Sequence, residues 1–190
     1  MLIQLLIGIP LAGALGAFLT GSNTRRPFLL PVVACLHLIL VFAVIAGPQP
    51  VSPHEWIHLD AVGRLFLLEF SLLFAACAFY AVNYLQYRTE RDNRALCTGF
   101  PICLAAMTLA TTAHHLGLLW LAIETTTLAM APLVYFNRNA RSIEATWKYM
   151  LICSIGIAMA LLGILFLGYS TVVAGFATAA YLSKASTNGL

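Results

Sequence analysis

Charged side chains are scarce in this sequence. Asp, Glu, Lys and Arg make up 9% of its 190 residues, against about 25% in an ordinary soluble domain. With hydrophobic residues at 61% and a mean hydropathy of +0.90, a water-soluble fold of this length would lack the polar sequence to cover its surface. Strand-type alternation is missing too, as are a Gly-rich phosphate-binding loop, a Ser/His/Asp set and any Cys/His metal spacing. The five cysteines (Cys35, Cys77, Cys97, Cys103 and Cys153) form no C-x-x-C pair and read as small hydrophobes. The net charge of +3 comes with no basic block of the kind that tracks nucleic acid. No nucleic-acid partner, metal or cofactor is therefore expected for this chain, and the class that remains is an all-α integral membrane protein.

What the sequence has instead is six long apolar runs, at about 2–20, 28–46, 62–86, 95–113, 115–136 and 145–169. At a rise of 1.5 Å per residue each can cross a hydrocarbon core of about 30 Å. Backbone polar groups in lipid must be paired within their own segment, so each run is expected to be a transmembrane helix. The first, "MLIQLLIGIPLAGALGAFLTG", contains a small-residue "ALGA" that resembles a leader cleavage site. It lacks the basic start of a leader and is read as a retained helix. Residues 1–169 then form one transmembrane domain. Residues 170–190 hold only a short, weakly apolar stretch before Lys184 and are read as an interfacial or poorly ordered tail.

Basic residues alternate between the joints. Arg25 and Arg26 lie in the first joint, Arg88, Arg91 and Arg94 in the third, and Arg138 and Arg141 in the fifth, whereas the second and fourth hold no Lys or Arg. The positive-inside rule then expects joints one, three and five on the cytoplasmic side, with the N-terminus on the outer face.

The few charges inside the runs are the candidates for chemistry. Glu124, in "LLWLAIETTTLAMAPLVY", lies about 13 Å into the fifth run by helical rise, close to the midplane. An acidic side chain there costs about 2.5–3.5 kcal/mol on insertion scales, so it is expected to face the bundle interior, a partner or water. A proton relay is one reading and a structural hydrogen bond between helices the other. Thr125, Thr126 and Thr127 offer hydroxyls beside it. Lys148, in "RSIEATWKYMLICS", enters the sixth run from the cytoplasmic side at an axial offset of about 8 Å, a separation that suits coupling through water and hydroxyls. The competing reading of Lys148 is a local pair with Glu144, four residues ahead on the same helix. Arg64 and Glu69 share the third run but point about 140° apart; Arg64 can snorkel outward, and Glu69 is left for another helix or subunit. His37 is either a satisfied bundle histidine or part of a relay, and His114 and His115 read as solvated.

The stretch "HHLGLLWLAIETTTLAMAPLVYFNRNARSIEATWKYMLICSIGIAMALLG", with the basic "AVNYLQYRTERDNR" before it, resembles a known family. It looks like the antiporter-like membrane subunits shared by respiratory complex I, multisubunit cation/proton antiporters and membrane-bound nickel-iron hydrogenases. It is most like the proton-translocating membrane component of the hydrogenase-4 and formate hydrogenlyase type. The similarity runs from about residue 58 to 168, with "WLAIETTTL" and "EATWKY" its most specific segments.

The resemblance implies subunits of about fourteen helices built on two inverted five-helix repeats. It implies a key fifth-helix Glu matched by Glu124, and a sixth-helix Lys matched by Lys148. Only the N-terminal portion of that fold fits in this sequence; the family's seventh-helix lysine and second repeat have no counterpart in it.

The expected function is thus a partial antiporter-like subunit with Glu124 and Lys148 as proton relay. Glu69, His37, Thr125, Thr126 and Glu144 are candidate relay or interhelix contacts. The chain itself would be non-catalytic, carried in a bacterial-type inner membrane beside the other membrane subunits of a hydrogenase- or complex-I-like assembly. The alternative is a subunit that packs or assembles without conducting.

Overall fold

The computed structural model describes residues 2–47, 56–88 and 91–187, the last eleven of them by helical backbone alone. Six helices follow one another: α1 (Leu2–Leu19), α2 (Leu29–Ala46, entered through a 3-10 turn at Arg26–Phe28), α3 (Ala61–Gln86), α4 (Arg94–Thr112), α5 (Leu116–Tyr135) and α6 (Ala140–Thr187). Each is long and apolar enough to cross a membrane, and no β-sheet occurs among the described residues. The protein is an all-α, multi-span membrane protein.

Local chemistry accounts for where the helices begin. The Asp60 carboxylate accepts the Gly63 N–H at 2.7 Å and caps α3. At α6, Asn139 Oδ1 accepts the Ser142 N–H at 2.7 Å while Ser142 Oγ accepts the Asn139 N–H at 3.1 Å, a reciprocal cap. That cap starts α6 at Ala140, five residues before its apolar run. At the other end the helix does not stop with the run at 169; its backbone continues to Thr187. Hydropathy marks what can lie in lipid, whereas a helix ends where its hydrogen bonding is interrupted, and the sequence holds no proline after Pro132.

Helices α1–α4 form the packed body, with α4 against α1, α3 and α5, and α6 against α5. Lipid is as apolar as a leucine side chain, so close packing and interhelical hydrogen bonds must hold such a body together. Two glycines mark the closest approaches. A Cβ on Gly13 would sit 2.3 Å from a Val33 methyl, and one on Gly99 would sit 2.7 Å from the Ala129 carbonyl, so α1–α2 and α4–α5 meet at close range.

Two apolar clusters fill the body. One, around Leu30, Phe74, Leu85 and Leu104, lies toward the arginine-rich rim; the other, around Leu6, Val41, Val44 and Leu67, lies toward the histidine-bearing rim. Between them His37 joins three helices: its Nδ1 meets Ser71 Oγ of α3 at 2.9 Å and its Nε2 meets Thr108 Oγ1 of α4 at 3.2 Å. Thr108 already donates its proton to the Leu104 carbonyl at 2.8 Å. Its oxygen must therefore accept from His37, which places a proton on Nε2.

Each rim is tied across joints. At the arginine-rich rim Arg26 is 1% exposed. Its guanidinium donates to the Thr20 carbonyl, to Asn23 Oδ1 at 2.9 Å, to Asn93 Oδ1 at 2.7 Å and to Asp92 at 3.2 Å, binding the first joint to the third. The Arg94 backbone N–H, helped by Arg26, holds the Asp92 carboxyl below the usual carboxylate range. At the opposite rim an antiparallel bridge joins Ile57 to Ala113. There Trp56 stacks on His115, and His58 meets His114 edge-on.

Candidate functional site

The α5–α6 hairpin is built differently. In its most apolar window α4 is 50% buried, α5 11% and α6 not at all. Among the described side chains of α6 only one seam, Ser142, Thr146, Tyr149, Cys153, Ile157, Leu161 and Ile164, is partly covered. Its three- and four-residue spacing makes a single helical stripe that faces α5. Two polar contacts set the register: Tyr149 Oη donates to the Thr127 carbonyl at 3.3 Å, and Trp120 Nε1 donates to the Ile157 carbonyl at 3.0 Å. Glu124 lies between those two levels, opposite Cys153.

There a small cavity of about 40 Å³ opens in the seam, lined by Glu124, Thr127, Leu128, Tyr149, Met150, Cys153 and Ser154. Space of that size admits water where polar partners converge. Glu124 Oε2 is buried and has no hydrogen-bond partner among the described residues. The cavity also takes in the Cys153 thiol and the hydroxyls of Tyr149 and Ser154, which donate to the Thr127 and Leu151 carbonyls.

The threonine hydroxyls beside Glu124 give their protons to the backbone and not to its carboxyl. Thr125, Thr126 and Thr127 each donate to a carbonyl of the preceding turn, those of Leu121, Ile123 and Glu124 respectively. Thr127 alone lines the Glu124 cavity. Thr125 instead faces a separate space of about 440 Å³ between α1, α4 and α5, which also takes in Phe18, Asp92, Arg94 and Thr98.

Lys148 does not line the Glu124 cavity. Its ammonium is paired with Glu144 on the outside of α6, the two side chains 67% and 60% exposed. Five residues separate Lys148 from Cys153, which turns it about 140° from the seam, while Tyr149, one residue on, falls in line. Glu69 is on the outward side of α3. His37 is held in the body by Ser71 of α3 and Thr108 of α4 and does not line the Glu124 cavity. Among the described residues no cluster of His, Cys, Asp or Glu could hold a metal ion. Tyr149 and Ser154 are the residues that sequence reasoning passed over. The four-residue offset of Tyr149 from Cys153 carries a signal that becomes legible only once the seam's register is known, whereas Ser154, one residue from Cys153, is turned about 100° from the stripe.

No family model matches the chain. It is 28% identical over 117 residues to a hydrogenase-4 component F homolog of Methylacidiphilum infernorum (isolate V4), covering 58% of this chain and 25% of that protein. Over 59 residues it is 39% and 41% identical to NADH-ubiquinone oxidoreductase chain 2 of Varanus nebulosus and Varanus baritji, in each case 31% of this chain and 17% of the relative. The chain thus matches a quarter or less of the length of these relatives, and the homology to a hydrogenase-4-type protein is distant.

Proposed function

We propose that the chain contributes to proton (or cation) translocation across the membrane, as part of an antiporter-like subunit working beside redox partners in a hydrogenase- or complex-I-like assembly. The observation that carries this reading is the Glu124 carboxyl. It sits about 12 Å along α5 by helical rise, with one oxygen buried and unpaired against a cavity lined by hydroxyls. An unsatisfied acid near the middle of a bilayer is costly, and such groups mark ion and proton paths. In this reading Glu124 holds the proton, and water in the cavity passes it to Tyr149 and Ser154 on α6. Glu144 and Lys148 stand at the entrance to α6, where their charges attract or release protons at the arginine-rich rim. That rim is the cytoplasmic one in this reading, as the distribution of arginines supports, and the N-terminus lies outside. The chain catalyses no bond chemistry itself.

The second reading, a packing or assembly subunit that does not conduct, is favoured by one observation: Lys148 is committed to Glu144 on the outer side of α6. The two readings separate in vesicles carrying the assembled complex. Translocation predicts that Glu124→Gln abolishes redox-driven proton uptake while the complex still assembles and turns over. Unchanged uptake per electron would leave the packing role.

A further inference from the structure

Glu69 poses a problem that the Glu124 site does not absorb. It lies eight residues into α3, about 12 Å from the start of that helix by helical rise, and it is exposed on the surface of the bundle. Ser71, two residues on, is 1% exposed and bonded to His37. Two residues are about 200° of helix, so α3 cannot present both side chains to the body.

The face that carries Glu69 is otherwise apolar: Val62, Leu65, Phe66, Leu72 and Leu73 are 48–70% exposed around it. Glu69 makes no hydrogen bond or ion pair among the described residues. The nearest cation on its own helix, Arg64, is about 140° away, with its Nε and Nη2 buried inside the bundle. A carboxylate facing lipid at that depth costs about 2.5–3.5 kcal/mol, and intramembrane charges of this kind are found paired or turned toward protein.

We infer that the Glu69 face of α3 is a docking surface for a transmembrane helix of another polypeptide, one that brings a Lys or Arg side chain to the depth of Glu69. The charge selects the partner chemistry. A single acidic group in an apolar stripe is complemented by one basic group in an apolar helix, which fixes both the depth and the rotation of the partner. A second copy of this chain complements it poorly. With the two copies parallel in the membrane, Glu69 would meet Glu69 across the two-fold axis, and the Arg64 guanidinium is turned inward.

The inference is independent of the translocation reading, because it is read by assembly rather than by proton uptake. A photoreactive residue placed at Leu73 in native membranes is expected to crosslink to a different polypeptide, within about one turn of a Lys or Arg in a transmembrane segment. Glu69→Lys should lower recovery of that polypeptide in the purified complex at least tenfold, and Glu69→Gln less. Exchanging the mapped basic residue for Glu should restore recovery in the Glu69→Lys background. Crosslinks to lipid only, crosslinks between two copies of this chain, or a charge exchange that restores nothing would each overturn the proposal.

Discussion

Arg26 and His37 of the packed body and Glu124 of the α5–α6 hairpin are buried polar groups treated in opposite ways, although Arg64 Nε and Nη2 and Thr98 Oγ1 of the body also lack a partner among the described residues. In the body, Arg26 has acceptors in the first and third joints, and both ring nitrogens of His37 are used. In the hairpin, a carboxyl oxygen of Glu124 is buried with no partner among the described residues, beside a cavity and a helix that is mostly uncovered. A satisfied buried group holds one arrangement of the chain. An unsatisfied one keeps the capacity to bind a proton, a water or an ion.

Substitution should expose that contrast, and the largest effect on stability belongs to Arg26. Arg26→Met strands the side chains of Asn23 and Asn93 and removes the tie between two joints. A loss on the order of 3 kcal/mol is expected, read as a lower unfolding midpoint in detergent. The Asp92 share of that tie also has a pH signature. Its carboxyl is held below the ordinary value of 3.8, so its contribution is complete above that pH and fades as pH falls through the depressed value. An unfolding midpoint followed below pH 4 should show the wild type, but not Asp92→Asn, losing this increment.

His37→Leu comes next. It leaves the Ser71 hydroxyl and the Thr108 acceptor buried without their partner, at a cost of about 2 kcal/mol. Because Thr108 can only accept from the ring, nitrogen NMR of the wild type should show a protonated Nε2 for His37. Lys148→Met should be the mildest, within about 0.5 kcal/mol, since the pair with Glu144 is exposed.

Much of the fold was legible in the sequence because the bilayer leaves a chain so few options. Five of the six helices lie within about two residues of the apolar runs, since in lipid a run long enough to span has to be a helix. The sixth exceeded its run at both ends because Asn139 and Ser142 cap it early and no proline ends it late. The candidate site was harder to read. Depth along a helix can be counted from a sequence, and that count singled out Glu124. Rotation cannot be counted without knowing which stripe faces the neighbour. Lys148 and Tyr149 are adjacent in sequence and about 100° apart on the helix, and only the register of α6 against α5 decides which one meets Glu124. Arg26 illustrates the same limit, since its partners Asp92 and Asn93 are 66 and 67 residues away.

The most direct test of the Glu124 account is infrared difference spectroscopy of the assembled complex under turnover, with Glu124→Gln as the reference. The account predicts a carboxylic C=O band that grows or fades as the redox partners are driven and is missing from the variant. A Glu124 carboxyl whose band stays constant through turnover, in a complex that still pumps, would contradict it.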